Sequence, residues 1–255
     1  MKPLLLVSAL LLAACKPAPE TELVVFAASS LKDVFGALGT TFTEQHPGVR
    51  LSFNFAGTQE LRTQLEHGAP ADVLASADVR HMAELEQAGR VQPSQLFAKN
   101  ELVLAVSREA AATVTRLEDV TSLERIVMGG PDVPIGRYTR ELLQRASTSS
   151  LGPAFVQRFD AHVVSKELSA RQVLARVSLG EAQAAFVYRT DALSVADAGV
   201  AIVPFGAELQ VVAEYPIALV TRPAHPTLAR AWVELVRSAE GQRQLSSAGF
   251  LPVAP

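Results

Sequence analysis

The 255-residue chain has one cysteine, Cys15, so no internal disulfide can form and a later fold must rest on packing and hydrogen bonds. It also lacks an excess of positive charge. A formal net charge of -3 excludes the clustered Lys and Arg surface that follows nucleic-acid phosphates. After the first fifteen residues no apolar run reaches membrane-spanning length. The motifs G-x-S-x-G, G-x-x-x-x-G-K-S/T and H-E-x-x-H are missing, which leaves the hydrolase elbow, the nucleotide loop and the zincin site without anchors. His46, His67, His81, His162 and His225 never fall three or four residues apart. They are read as residues of solvated faces, with no direct metal ligands expected.

What is present is apolar. Hydrophobic residues make up 49% of the chain and charged residues 19%, enough for a sizeable core and for one or two domains. Residues 1–15, MKPLLLVSALLLAAC, place Lys2 before an apolar Leu4–Leu12 core and small residues, the pattern of an export signal. Leu12-Ala13-Ala14-Cys15 resembles the bacterial lipobox, which implies cleavage before Cys15 and lipidation of that residue; the alternative is an ordinary signal peptide with an incidental cysteine. The expected organisation is a signal peptide over 1–14, then a polar, Pro-containing tether over 15–21.

From residue 22, short Val-, Leu-, Phe- and Ala-rich runs alternate with stretches of helical period, which predicts α/β structure with parallel sheets covered by helices. Strands are expected at 23–27, 50–55, 72–76, 102–107, 125–129, 161–164, 184–188, 201–204 and 210–220. Helices are expected at about 30–45, 58–67, 78–88, 135–146, 169–179 and 227–246. The passage 97–107 reads as a crossing between two units and 211–220 as the return. One lobe then comprises 22–101 plus 215–255 and the other 102–214, with ligands at strand carboxyl ends.

Four strand-to-helix junctions carry small or flexible residues where helix N–H groups lack intrahelical acceptors and the dipole favours an anion. At Ala27-Ala28-Ser29-Ser30 a serine either caps its own helix or turns to a ligand. At Ala56-Gly57-Thr58-Gln59, Thr58 offers a hydroxyl and an early helical N–H, with Gly57 permitting close approach. At Gly129–Gly136, Pro134 suits a helix start and leaves the Ile135 N–H free to donate. At Leu168-Ser169-Ala170-Arg171 the Ala170 N–H has the same freedom. Tyr188 adds a phenolic donor at a strand end, or is a half-buried strand aromatic.

The runs FAASSL, FAGTQELRTQLEHGAPADVLASAD, GGPDVPIGRY, SARQVL, AAFVYRTDA and AEYPIALV, in this order over nearly the whole mature chain, resemble the periplasmic molybdate-binding proteins of ABC importers, the ModA family. The resemblance implies a two-lobed type II periplasmic-binding-protein fold, each lobe a sheet flanked by helices. It implies molybdate, or tungstate, held by hydroxyl and backbone N–H groups without a basic side chain. The ligand positions carry over to Ser30, Thr58, Ile135 and Ala170 through their backbones in the last two cases, and Tyr188; the molybdenum would be met only through its oxyanion. Many members have Ser where Thr58 stands and Ala where Ile135 stands, and Gly57 or Gln59 is left open as sharing the second seat. No enzyme activity and no cofactor are implied. The partners would be an ABC permease with its ATPase, on the periplasmic or cell-surface face of the membrane, with the receptor a lipid-anchored monomer.

Two rivals have residues behind them. Ser29-Ser30-Leu31-Lys32 matches the S-x-x-K start of a serine acyl-enzyme, with Ser29 as nucleophile and Lys32 as its partner, but no S-D-N or K-T-G occurs. A receptor for sulfate or an organic acid is the other. Carboxylate ligands draw an Arg fork, for which Arg137 and Arg171 are the candidates, set against their reading as solvent-facing helix positions.

Overall fold

A computed structural model describes residues 21–195 and 199–253, so the leader, Cys15 and all of the tether but Thr21 lie outside the described residues. The first unit alternates β1 (Thr21–Ala28), a 3-10 turn (Ser29–Leu31), α1 (Lys32–Gln45), β2 (Val49–Ala56), α2 (Thr58–Glu66), β3 (Val73–Ala75) and α3 (Val79–Gln87). The long strand β4 (Gln95–Ser107) follows. Next come β5 (Ile126–Gly129), α4 (Pro134–Thr148), α5 (Gly152–Ala161), β6 (Val163–Glu167), α6 (Ala170–Ser178), β7 (Ala184–Tyr188), α7 (Arg189–Leu193) and β8 (Val200–Val203). The chain returns through β9 (Val212–Leu219) and ends in α8 (Pro226–Arg237) and α9 (Ala239–Ser247).

The described strands form one connected path, β2-β1-β3-β9-β4-β7-β5-β6, with β8 on β4. It divides within β4. Residues from Gln95 to Glu101 pair antiparallel with β9, while those from Leu102 onward pair with β7 and β8. β4 therefore belongs to two sheets, each with its own covering helices, and the molecule is two-lobed. In the first sheet β1 lies parallel between β2 and β3, and in the second β5 lies parallel between β6 and β7. All these strands point their carboxyl ends, and the helices that follow, toward the junction of the lobes.

The continuous apolar reading of β1 reflects burial on both faces, its last residues from Val25 to Ala28 being buried throughout. In α4 the buried residues Ile135, Tyr138, Thr139, Leu142, Leu143 and Ala146 recur at three- and four-residue spacing, one apolar stripe against the sheet. Trp232 on α8 is fully buried, and the rings of Phe35, Phe42 and Phe53 meet it edge-on at 5.3, 5.5 and 5.6 Å. Phe186 plays the matching part in the second lobe, between Phe159 and Phe205.

Several expected boundaries move. The single helix expected at 227–246 is two, because Ser238 leaves helical geometry and its hydroxyl accepts the Gly241 N–H at 3.1 Å, starting a new helix. α5 was not expected at all: it begins just past a Ser/Thr run, with Gly152 at φ 70° and a proline in its first turn. The sixth strand runs over 163–167 rather than 161–164, and the strand that crosses between the two sheets already begins at Gln95, with an irregularity between Leu96 and Ala98. The short helix α7, directly after Tyr188, was likewise not anticipated.

Candidate functional site

The four junctions and Tyr188 meet. Ser30, Thr58, Ile135, Ala170 and Tyr188 all line one small cavity between the lobes. The rest of the lining is small or apolar: Ala28, Ser29, Ala56, Gly57, Ala77, Val133 and Pro134. None of the five is more than 5% exposed. Among the lining residues there is no Lys, Arg, Asp or Glu.

Each junction leaves donors facing inward. The 3-10 turn after β1 has Ala28 at its start and no side-chain cap, so the capping role considered for the serines is not taken. The Ser30 hydroxyl instead lies 2.9 Å from the Tyr215 hydroxyl. Helix α2 starts at Gly57, whose N–H goes to the Glu60 carboxylate at 3.1 Å. Thr58 Oγ1 accepts the Ala77 N–H at 3.1 Å, which leaves the hydroxyl proton to donate elsewhere. Ile135 and Ala170 occupy the first turns of α4 and α6, where a backbone N–H has no intrahelical acceptor. Ser169 caps α6, accepting the Gln172 N–H at 3.3 Å.

Tyr188 ends β7 and begins α7. Its ring packs edge-on to Tyr215, centroids 5.8 Å apart, and it is only 1% exposed. Its hydroxyl, although buried, has no hydrogen-bond partner among the described residues. Burial holds both the Tyr188 and Tyr215 hydroxyls protonated far above the ordinary tyrosine range, so both are neutral groups with a proton to give.

Two glycines make room for this convergence. A Cβ on Gly57 would stand 2.2 Å from the Leu168 carbonyl of the opposite lobe, and one on Gly136 would stand 2.1 Å from the Gly130 carbonyl. Gly57 thus contributes clearance, its N–H being occupied. Gln59 does not line the cavity; its side-chain amide reaches across the cleft to the Leu168 carbonyl at 2.7 Å.

Neither Arg137 nor Arg171 lines the cavity, and both are half-buried, 29% and 25% exposed, and held by carboxylates, where free solvent-facing positions were expected. Arg137 Nε lies 3.4 Å from Asp78 Oδ2 of the opposite lobe, with Asp78 fully buried. Arg171 pairs with the buried Asp191 at 2.8 Å and with Asp33 across the cleft. Burial pushes the Asp191 carboxyl up to about 7 against the opposing pull of Arg171. His81 is also corrected: it is 1% exposed, and its Nε2 lies 2.8 Å from the Asp132 carbonyl across the cleft. An N–H on Nε2 suits that carbonyl, and burial lowers the His81 pKa, favouring the neutral ring. Among the described residues no group of three or more His, Cys, Asp or Glu is placed to hold a metal ion.

Asp78, Asp191, Asn100 and Tyr215 were missed as parts of the site. Asp78 and Tyr215 fall within runs that carried the resemblance, yet a carboxylate or phenol inside an apolar run gives no sign of its partner across the fold.

A pocket of neutral donors, formed where two sheets share one strand, is the arrangement of a solute receptor of two lobes. The profile of bacterial extracellular solute-binding proteins matches residues 23–251. The molybdate-binding protein ModA of Mycobacterium tuberculosis is 39% identical over 247 residues, 93% of this chain and 88% of that protein. The chain therefore belongs to the ModA family of extracellular solute-binding proteins, the non-enzymatic substrate-binding components of ABC importers. Two solved structures share its fold. The sulfate-binding protein SubI of M. tuberculosis gives a TM-score of 0.81 at 19% identity, covering 92% of this chain and 88% of that one. The periplasmic molybdate-binding protein of Azotobacter vinelandii gives 0.77 at 17% identity, covering 91% and 100%. Among the described residues no helix is long and apolar enough to cross a membrane.

Proposed function

We propose that this protein captures molybdate, or tungstate, in the cavity lined by Ser30, Thr58, Ile135, Ala170 and Tyr188, and delivers it to an ABC permease and its ATPase. The observation that carries the reading is the Tyr188 hydroxyl, a buried donor without a protein acceptor, on a residue that lines the same space as four helix starts. A buried donor left unmade costs about 1–3 kcal/mol, and an anionic oxygen removes that cost. The hydroxyls of Ser30, Thr58 and Tyr188 and the first-turn N–H groups form a cage of donors without formal charge. Bonds of this kind to a charged acceptor contribute about 1.5–3 kcal/mol each. Tetrahedral dianions without a proton fit such a cage, whereas phosphate near neutral pH carries a proton that needs an acceptor.

The lobes comprise 22–101 with 215–255, and 102–214, and they close about β4, whose partners change between Glu101 and Leu102. Lipidation of Cys15 tethers the body to the outer face of the membrane. Titration calorimetry with molybdate, tungstate, sulfate and phosphate tests the ligand class. Strong heat with the first two and none with phosphate is expected, and the absence of binding to every tetrahedral dianion overturns it.

A further inference from the structure

Behind the cavity wall lies a chain of buried polar groups that never reaches the cavity itself. Tyr215 on β9 and Asn100 on β4 are both fully buried. The Asn100 amide donates to Thr190 Oγ1 at 2.9 Å. The Tyr215 hydroxyl bonds to Ser30 Oγ, 2.9 Å away. Of the two hydroxyls the phenol is the stronger proton donor and the weaker acceptor, and a buried phenol proton left without an acceptor is costly, so Tyr215 donates. The Ser30 hydroxyl then accepts from behind and keeps its proton for the cavity that it lines.

We propose that Tyr215 is a specificity-determining positioning residue that holds the Ser30 hydroxyl as a donor and so keeps the cavity selective for anions without a proton. This rests on the function proposed above and deepens it. A free serine hydroxyl rotates and offers either a proton or a lone pair, so it serves a protonated oxyanion as readily as a bare one. Bound from behind by a phenol, it turns one way.

The experiment is a double-mutant cycle read by competition calorimetry, with molybdate displaced by inorganic phosphate at neutral pH. Tyr215→Phe keeps the ring and removes the hydroxyl. It is expected to narrow the preference for molybdate over phosphate by about tenfold or more. In a Ser30→Ala background the same change should leave that preference untouched, because Tyr215 acts through Ser30. A thermal melt without anion confirms that each variant is folded. Equal weakening for both anions marks a packing role and overturns the proposal, as does an unchanged preference. If the unmodified protein binds neither molybdate nor any other tetrahedral dianion, the proposed function fails and this inference with it; if it binds molybdate and Tyr215→Phe keeps the preference, only this inference fails.

Discussion

Replacing Tyr188 by Phe has two effects of opposite sign, and their combination identifies a ligand donor. The Tyr188 ring is held by burial and by its edge-on contact with Tyr215, and Phe preserves that packing. The change therefore isolates one hydroxyl. In the protein without anion that hydroxyl is buried and unpaired, so its removal relieves a penalty of about 1–3 kcal/mol, to the extent that the closed form is populated. In the complex the same hydroxyl bonds to an anionic oxygen, and losing it costs about 1.5–3 kcal/mol, or roughly 10- to 150-fold in affinity. Titration calorimetry measures the second effect and thermal denaturation without anion the first. Molybdate affinity should fall within that range while the anion-free melting temperature holds or rises. A Tyr188→Phe protein that binds molybdate within twofold of the parent refutes the placement of this phenol at the ligand. A lower melting temperature with unchanged affinity would make Tyr188 a packing residue only.

Thr58→Val removes both a proton aimed at the cavity and the acceptor of the Ala77 N–H, so calorimetry and melting should both decline, affinity by about 10- to 150-fold and stability by about 1–3 kcal/mol; Thr58→Ser should restore both, and failure to do so would count against the hydroxyl. Arg137→Ala, which breaks the cross-cleft pair with Asp78 and the contact of the guanidinium with the Tyr138 ring, should weaken molybdate binding by about 2- to 10-fold, mainly through faster release in stopped-flow displacement, whereas a loss above a hundredfold would mean that the guanidinium touches the ligand. The Asp191 carboxyl, raised from 3.8 to about 7 by burial, holds a proton in the folded chain that the unfolded chain gives up. Its stabilising contribution is complete below about pH 4 and is lost as the pH rises through 7. Asp191→Asn should flatten the melting temperature across that window, and an unaltered slope would show that Arg171 keeps the carboxylate ionised.

The strand-and-helix alternation was legible because each parallel strand must bury both faces, as β1 and β7 do, and each helix only one, as α4 does. The junctions were legible as candidates for a related reason: helix starts are local features, so the turns holding Ser30, Thr58, Ile135 and Ala170 can be marked without knowledge of the fold, while the resemblance joined them into one set with Tyr188. What failed was long-range. His81, Arg137 and Arg171 sit on helices whose exposed faces suggested solvent; the opposite lobe buries His81 against Asp132 and half-covers the two arginines beside Asp78 and Asp33. Ser238 and Gly152 misled for the opposite reason. A serine inside an apolar period and a glycine after a serine run each tolerate both helix and turn, and neighbours of the fold decide between them.

The positions of the two arginines explain why the cavity proposed to hold an anion is lined by no cation. A guanidinium aimed into the cleft would grip carboxylates in its planar fork, and it would reward any anion that can match two parallel N–H groups. Here Arg137 is bound by Asp78, and Arg171 is shared by Asp191 and Asp33, so neither is left to compete for the solute. Their charge is spent between the lobes, at the rim, where it favours closure whatever lies inside. Attraction inside is left to dipoles and hydroxyls whose directions are set by helix starts and by Tyr215. Such donors discriminate by where an acceptor oxygen lies and by whether it carries a proton, which charge alone cannot do. The division of work predicts its own exception: Asp78→Asn, which releases Arg137, should admit organic carboxylates that the parent protein ignores, and a variant that remains blind to them in calorimetry would show that the geometry of the cavity, not the capture of the guanidinium, excludes them.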